Sequence, residues 1–208
     1  MTAGPTYEPI DPVRFIGNRS SGKMGIAIAH ELVERGAHVV LILGPSSQPI
    51  SNHERLRLIR VETSDEMYDA VMNEIEDMDI GVFSAAVADY KPKYMATEKI
   101  KKSDHEMSLE LVKTRDILQA VGEKKKKGQY LVGFALETEN EIANAKSKIQ
   151  KKNLDIIVLN SLKQEGAGFQ HDTNQITIID RENKMIPFEL KDKKEVARDI
   201  VDVINQNI

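Results

Sequence analysis

Residues 14–25 read RFIGNRSSGKMG. A short apolar run (Val13, Phe15, Ile16) leads into glycine, small hydroxyls and a lysine. Apolar residues at helical spacing follow: Ile26, Ile28, Ala29, Leu32 and Val33. A loop of this kind at a helix start aims several backbone N–H groups one way, with the positive end of the helix dipole behind them. It is suited to holding an anion, most often a phosphate.

Two familiar phosphate loops nearly fit, and each fails on a specific residue. Gly17 to Met24 spells G-x-x-x-x-G-K-M, whereas a P-loop needs serine or threonine after the lysine to ligate magnesium. A nicotinamide-binding Rossmann loop expects an acidic residue near the end of the second strand to hold the ribose hydroxyls. Here that strand, residues 37–43, ends in Gly44-Pro45. A short-chain dehydrogenase would also need Tyr-x-x-x-Lys, but the residues four beyond the tyrosines are Asp11, Met72, Tyr94, Glu98 and Phe134. A turn that only starts a helix is the plainest alternative, yet polar patterning continues far beyond it.

Working outward, strands and helices alternate. The helix at 25–35 stops at Gly36, a natural residue for a helix end. Strands are expected at 37–43, 56–61, 80–87, 130–135 and 155–160. Helices are expected from a Thr63/Glu66 capping box to about 77, at 116–125 and at 140–152. Residues 88–107 form a polar segment without a long apolar period. This is the rhythm of a parallel sheet covered on both faces. Beyond it, 175–180 and 184–190 flank Arg181-Glu182-Asn183 as a β-hairpin, and a last helix spans about 193–204. The expectation is one domain over 1–208: an α/β, Rossmann-like, mostly parallel sheet with helices on both faces and a C-terminal hairpin appendage at about 175–190. A first strand just before the loop would be only one or two residues long, so either it is missing or the sheet starts elsewhere.

Bulk properties exclude several classes. A net charge of −4 gives no global basic field for nucleic acid. No apolar run approaches the ~20 residues of a membrane span, and the N-terminus has no signal-peptide pattern. With no cysteine, disulfides and thiolate metal sites are ruled out, which fits a reducing cytoplasm. Histidines 30, 38, 53, 105 and 171 show no close metal-ligand spacing.

Ligands bind outside the carboxyl ends of the strands in such sheets. There the sequence places Gly4-Pro5-Thr6, residues 18–25, Ala88-Asp89-Tyr90, Glu137-Thr138 and Asn160. Small residues at 85–88 let a ligand approach the backbone; Asp89 reads as a magnesium or ribose ligand, or as a turn cap. The lysines at 99–102 read as a mobile loop that closes over a polyphosphate, or as a solvated loop. Lys148, Lys151 and Lys152 complement a helix C-terminus. Phe134 reads as a base-stacking residue or as core.

TAGPTYEPIDPVRFIGNRSSGKMG at 2–25, followed in order by AAVADY, EKIKK, VGFALET and KNLDIIVLN, closely resembles the phosphopantothenate–cysteine ligase family, in its bacterial CTP-dependent type. That ligase is usually the C-terminal half of a bifunctional protein whose N-terminal half is a flavin-dependent decarboxylase. The resemblance implies an enzyme of coenzyme A biosynthesis that joins 4′-phosphopantothenate and L-cysteine with CTP through an acyl-cytidylate, with Mg2+ on the nucleotide. It implies catalytic roles for Asn18 and Lys99. It assigns Gly4, Ser20, Gly22, Gly25 and Asn160 to phosphopantothenate. To CTP it assigns Ala85, Asp89, Lys99, Asp116, Ile117, Phe134, Lys148 and Lys152, with Asp89 also the magnesium candidate. It implies a homodimer, for which the hairpin is a reasonable element, and an upstream decarboxylase domain in the full-length protein. No flavin is expected in this chain, and no nucleic acid or membrane partner. The sequence departs from the family's usual pattern at Thr114-Arg115, where Asn-Pro is common, and at Leu136, where alanine is common. The rivals are an NAD(P)-dependent reductase and a non-catalytic nucleotide-binding module.

Overall fold

The computed structural model of the chain describes residues 1–101, 106–137, 140–161 and 172–208. Lys102, His105, Thr138 and His171, singled out above, lie outside the described residues. The chain enters the central sheet at once, in β1 (Thr2–Ala3). β2 (Tyr7–Pro9) and β3 (Phe15–Gly17) then pair antiparallel as a separate ribbon. The apolar run before the anion loop is therefore not a sheet strand. Phe15 is exposed in this ribbon and stacks on Tyr7, ring centroids 3.8 Å apart. The strand that precedes the first helix in the sheet is the two-residue β1.

α1 (Lys23–Glu34) follows, and Gly36 beyond its end takes a left-handed φ of 92°. β4 (Val39–Leu43) and β5 (Leu56–Arg60) lead to α2 (Ser64–Glu74), whose capping box joins Thr63 and Glu66 as the sequence predicts. β6 (Ile80–Phe83) is shorter than the predicted strand at 80–87. After Phe83 the backbone leaves the ladder to reach the loop after β1, through Ala86 N–H to the Gly4 carbonyl at 2.8 Å. β7 (Tyr90–Pro92) and β8 (Leu111–Lys113) form a second ribbon that the sequence did not announce, because three-residue strands show no alternation.

α3 (Ile117–Lys124), β9 (Tyr130–Glu137), α4 (Glu141–Lys151) and β10 (Ile156–Ser161) restore the alternation. The chain then passes through β11 (Thr173–Asn174), β12 (Ile176–Asp180), β13 (Met185–Pro187) and β14 (Lys191–Asp192) into α5 (Lys193–Asn207). β11 and β14 pair with each other. The predicted hairpin is β12–β13, and β12 joins the main sheet antiparallel to β10.

Among the described residues the central sheet has eight strands in the order β13-β12-β10-β9-β6-β1-β4-β5. The six from β10 to β5 are parallel. Chain direction across the sheet reverses at β1/β6, the point where open α/β sheets place their ligands. Neighbouring residues on a strand face opposite layers. Leu41, Val82, Ile156 and Val158 pack under α1 and α5, with Ile28, Val196, Ile200 and Ile204. Ile42, Phe83, Ile157 and Leu159 pack under α2, α3 and α4, with Met67, Val121 and Ile149. Both faces are buried, which is why these strands are almost continuously apolar.

The β7–β8 ribbon is tethered to α2 by charge. Asp65, in the first turn of α2, accepts from Lys91 on β7 and from Arg115 Nε at 3.1 Å. Arg115 also reaches Asp69 at 2.9 Å, and its guanidinium lies 3.9 Å from the Tyr68 ring centroid. Lys91, first, and then Arg115 hold the Asp65 carboxyl below its ordinary range, against the opposing effect of burial.

Three substitutions test this packing and tethering. Ile200→Ala removes a fully buried side chain and should cost about 2–5 kcal/mol in urea unfolding. Arg198→Ala, on the exposed side of the same helix with its Nε 3.6 Å from Glu31, should cost under about 1 kcal/mol. Asp65 contributes stability that is present above the unfolded carboxyl value of about 3.9 and is lost as pH falls through its depressed folded value. Asp65→Asn should therefore lower stability at neutral pH, with the gap to the parent chain closing in acid; a gap that widens below pH ~4 would refute the assignment.

Candidate active site

A cleft of about 860 Å³ opens at the carboxyl ends of β1, β6, β9 and β10. Its first wall is the anion loop. α1 begins at Gly22, whose φ of 79° suits glycine and which supplies no side-chain cap. Ser20, Ser21, Gly22, Lys23, Met24 and Gly25 all line the cleft. The Ser20 hydroxyl accepts from the Gly22 N–H at 3.3 Å, and the Ser46 hydroxyl donates to the Ser21 carbonyl at 2.8 Å. Gly4 supports this turn from beneath, since a Cβ on Gly22 would lie 3.3 Å from the Gly4 Cα. Gly4 itself is not among the residues that line the cleft.

The floor is the loop after β6. The Asn18 amide nitrogen donates to the Ala86 carbonyl at 2.9 Å and to the Val87 carbonyl at 3.1 Å, crossing the switch point. A ligand that accepts from this amide must displace one of these bonds. Ala85 and Asp89 line the same floor. The Thr114 N–H donates to the Asp89 carbonyl at 3.0 Å, and its hydroxyl donates to the Ala88 carbonyl at 2.7 Å. Thr114 and Arg115, the unusual pair, thus bind the floor on one side and α2 on the other.

The opposite wall comes from α3, β9 and α4. Asp116 caps α3 through Gln119 N–H at 2.9 Å, and its other oxygen pairs with Lys152. Lys152 also donates to Gln119 Oε1 at 3.0 Å. The Lys148 ammonium donates to the Phe134 carbonyl at 3.0 Å. Ile117, Phe134 and Leu136 line this wall as well. At the far end, Asn160 accepts from Asn174 at 2.8 Å.

The structure therefore brings together Asn18, Ser20, Gly22, Gly25, Ala85, Asp89, Asp116, Ile117, Phe134, Lys148, Lys152 and Asn160 in one cleft. Lys99 is exposed and stands apart from it. Its neighbour Ile100 is held at both backbone groups: its N–H donates to Asp11 at 3.1 Å, and its carbonyl accepts from Arg14 at 3.1 Å. The Asp11 carboxylate, fully buried, is held well below the usual range, above all by Arg14. Sequence reasoning did not mark Lys113, Asn174 or Lys193, which also line the cleft, and it marked Arg115 only as a departure from the family's pattern. Lys193 lacked any motif, because only folding brings the start of α5 beside α1. Burial, first, and then the charge of Lys23 push its ammonium below the ordinary lysine value, against Asp172 and Asp192.

Among the described residues no group of three or more His, Cys, Asp or Glu could hold a metal ion. Asp89 and Asp116 are single carboxylates on the two sides of the cleft, a donor set that fits a hard divalent cation only where other oxygens complete its shell. Among the described residues no helix is long and apolar enough to cross a membrane.

The chain is 46% identical over 206 residues to the coenzyme A biosynthesis bifunctional protein CoaBC of Bacillus subtilis, covering 98% of this chain and 50% of that protein. It is 52% identical over 201 residues to a cysteine/cysteine sulfinic acid decarboxylase of an unknown prokaryotic organism, covering 97% of this chain and 56% of that protein. The chain thus spans about half the length of these relatives. A crystal structure of the C-terminal domain of a CoaBC protein superposes with a TM-score of 0.81 at 42% identity, covering 99% of this chain and 93% of that one. Residues 1–208 match the family described as the DNA/pantothenate metabolism flavoprotein C-terminal domain, and the chain belongs to that family.

Proposed function

We propose that this chain is a ligase that joins 4′-phosphopantothenate to L-cysteine at the expense of CTP. The observation that carries this reading is the meeting, in one cleft, of an uncapped anion loop and a group of nucleotide-type side chains, with Asn18 between them. The anion loop takes the phosphate of the acid substrate, near Ser20, Gly22, Gly25 and Asn160, with Gly4 beneath. Asp116, Ile117, Phe134, Lys148 and Lys152 take the nucleotide, with Ala85 allowing close approach. That order puts the substrate carboxylate near the α-phosphate over the floor at Asn18.

In the first step a carboxylate oxygen attacks the α-phosphorus of CTP; the bond to the β-phosphate breaks and pyrophosphate leaves. In the second, the cysteine amine attacks the acyl carbon, loses a proton, and expels CMP to leave the amide. Holding two substrates in register supplies much of the rate. Lys99, on the segment anchored by Asp11 and Arg14, closes over the triphosphate and offsets charge that builds on it. Asn18 orients the acyl-cytidylate. Mg2+ bound to the nucleotide, with Asp89 as its protein ligand, would neutralise phosphate charge. An upstream decarboxylase domain would supply the rest of a bifunctional protein in the cytoplasm.

A homodimer belongs to the same reading. Among the described residues β13 is the last strand at one edge of the sheet. Larger exposed apolar side chains gather on the ribbons and their connections: Val13, Phe15, Tyr90, Tyr94 and Met95. Clusters of that kind mark association surfaces.

The purified chain should release pyrophosphate from CTP only when 4′-phosphopantothenate is present, and should form the amide when cysteine is added. No release by a folded chain overturns the ligase reading. Lys99→Gln should slow pyrophosphate release by roughly 100-fold or more. Asn18→Ala should still release pyrophosphate but accumulate the acyl-cytidylate, detectable by mass spectrometry; normal amide formation by that variant removes Asn18 from its role.

A further inference from the structure

We propose that Arg115 is a positioning residue for the nucleotide: docked on α2, its guanidinium fixes the segment that joins the floor of the cleft to the wall carrying Asp116, and the affinity for CTP depends on that clamp. The inference rests on the ligase reading above. Three consecutive residues each hold a different element. The Thr114 hydroxyl and N–H donate to the Ala88 and Asp89 carbonyls of the floor, at 2.7 and 3.0 Å. Asp116 caps α3 and pairs with Lys152 at the end of α4. Arg115, between them, borders the cleft but spends its side chain on α2.

The guanidinium makes four contacts there. It donates to the Asp65 carboxylate and to the Asp65 carbonyl, both at 3.1 Å. It lies 2.9 Å from the Asp69 carboxylate and 3.9 Å from the centroid of the Tyr68 ring. A planar fork of donors can satisfy the carboxylates and the ring face at once. The Arg115 and Asp65 side chains are 44% and 40% exposed, so each ion pair alone is weak. Together the contacts share the cost of ordering one side chain. The platform beneath them is rigid. Glu8, buried in the β2–β3 ribbon, accepts the Ser64 N–H at 2.9 Å at the start of α2. Met67 and Val71 are buried against the sheet, and Tyr68 packs on the same layer. Arg115 thus passes the position of the core on to residues 114–116.

Asp65, Tyr68 and Asp69 do not line the cleft. They can influence a bound nucleotide in two ways, by holding Arg115 in place or by their charge acting at a distance. The two have opposite signs. Removing the Asp69 carboxylate takes negative charge away from a site for a triphosphate, so the field alone would tighten CTP binding. Loss of the clamp instead frees the segment before Asp116, adds to the ordering cost of binding, and weakens it. The acid substrate, held at the anion loop across the cleft, is spared.

The test measures pyrophosphate release by Asp69→Ala, Arg115→Ala and the parent chain, varying CTP and 4′-phosphopantothenate in turn. The Asp69 side chain is 66% exposed, and alanine suits a helix. Asp69→Ala should raise KM for CTP roughly 2- to 5-fold and Arg115→Ala roughly 3- to 10-fold, with kcat and KM for the acid within about 2-fold of the parent. Adding Asp69→Ala to Arg115→Ala should raise KM for CTP no further. Arg115→Lys should recover only part, since an ammonium lacks the fork. A KM for CTP that falls or stays at the parent value in Asp69→Ala overturns the inference, as does an equal rise in both KM values; either leaves the ligase reading standing. If the parent chain releases no pyrophosphate, the ligase reading fails. Calorimetric titration of CTP into the parent and Asp69→Ala then decides the clamp alone; equal or tighter binding by the variant, or no binding by the parent, refutes it. Should Arg115→Ala not fold, as judged by circular dichroism, the direction of the change in Asp69→Ala decides.

Discussion

The approach of α1 to the seam between β1 and β6 is the constraint on which the rest depends. β1 is two residues long, yet it lies in the middle of the sheet and pairs with both β4 and β6. α1 must sit almost on its backbone. A Cβ at Gly25 would fall 2.5 Å from the Ala3 Cβ and 2.4 Å from the Ser84 hydroxyl, so no larger residue fits without displacing the helix. That contact sets where the helix begins, and so where the anion loop stands relative to the loop after β6. The reach of Asn18 across the switch point follows from it.

Several polar groups of the cleft are already employed. Asn18 holds the Ala86 and Val87 carbonyls, Lys148 holds the Phe134 carbonyl, and Lys152 holds Asp116. These bonds fix the side chains in the geometry that ligands meet, which limits the ordering cost of binding. They also mean that a ligand competes with the protein's own acceptors. A charged phosphate wins that competition more readily than a neutral group, because charge-assisted bonds are the stronger ones.

Much of the fold was legible in the sequence, for identifiable reasons. Apolar strands such as 39–43 and 156–159 are buried on both faces and read as continuous runs. The Thr63/Glu66 box marks the start of α2, and Gly36 marks the end of α1. The ribbons were not legible, because Tyr90–Pro92 and Leu111–Lys113 are too short for periodicity. Nor was β1, since its neighbours in the sheet are some 40 and 80 residues away in the chain. Most of the candidate residues line one cleft, some from strand ends and others from α3 and α4. Lys113, Asn174 and Lys193 were not marked, since nothing local distinguishes them from surface residues.

The amino-acid sequence by itself determined the chemistry on offer and the alternation of elements. Short-range rules suffice for these: apolar period, capping, and a glycine and hydroxyl loop before a helix. Only the tertiary structure decided which end of the chain meets the anion loop. Lys193 lies 170 residues beyond Lys23, and the two become neighbours because α5 packs beside α1 on one face of the sheet. The tertiary structure also pinned Ile100, the neighbour of Lys99, to a buried carboxylate at Asp11. Long-range packing sets both outcomes, because side-chain burial and charge pairing depend on neighbours that no local pattern encodes.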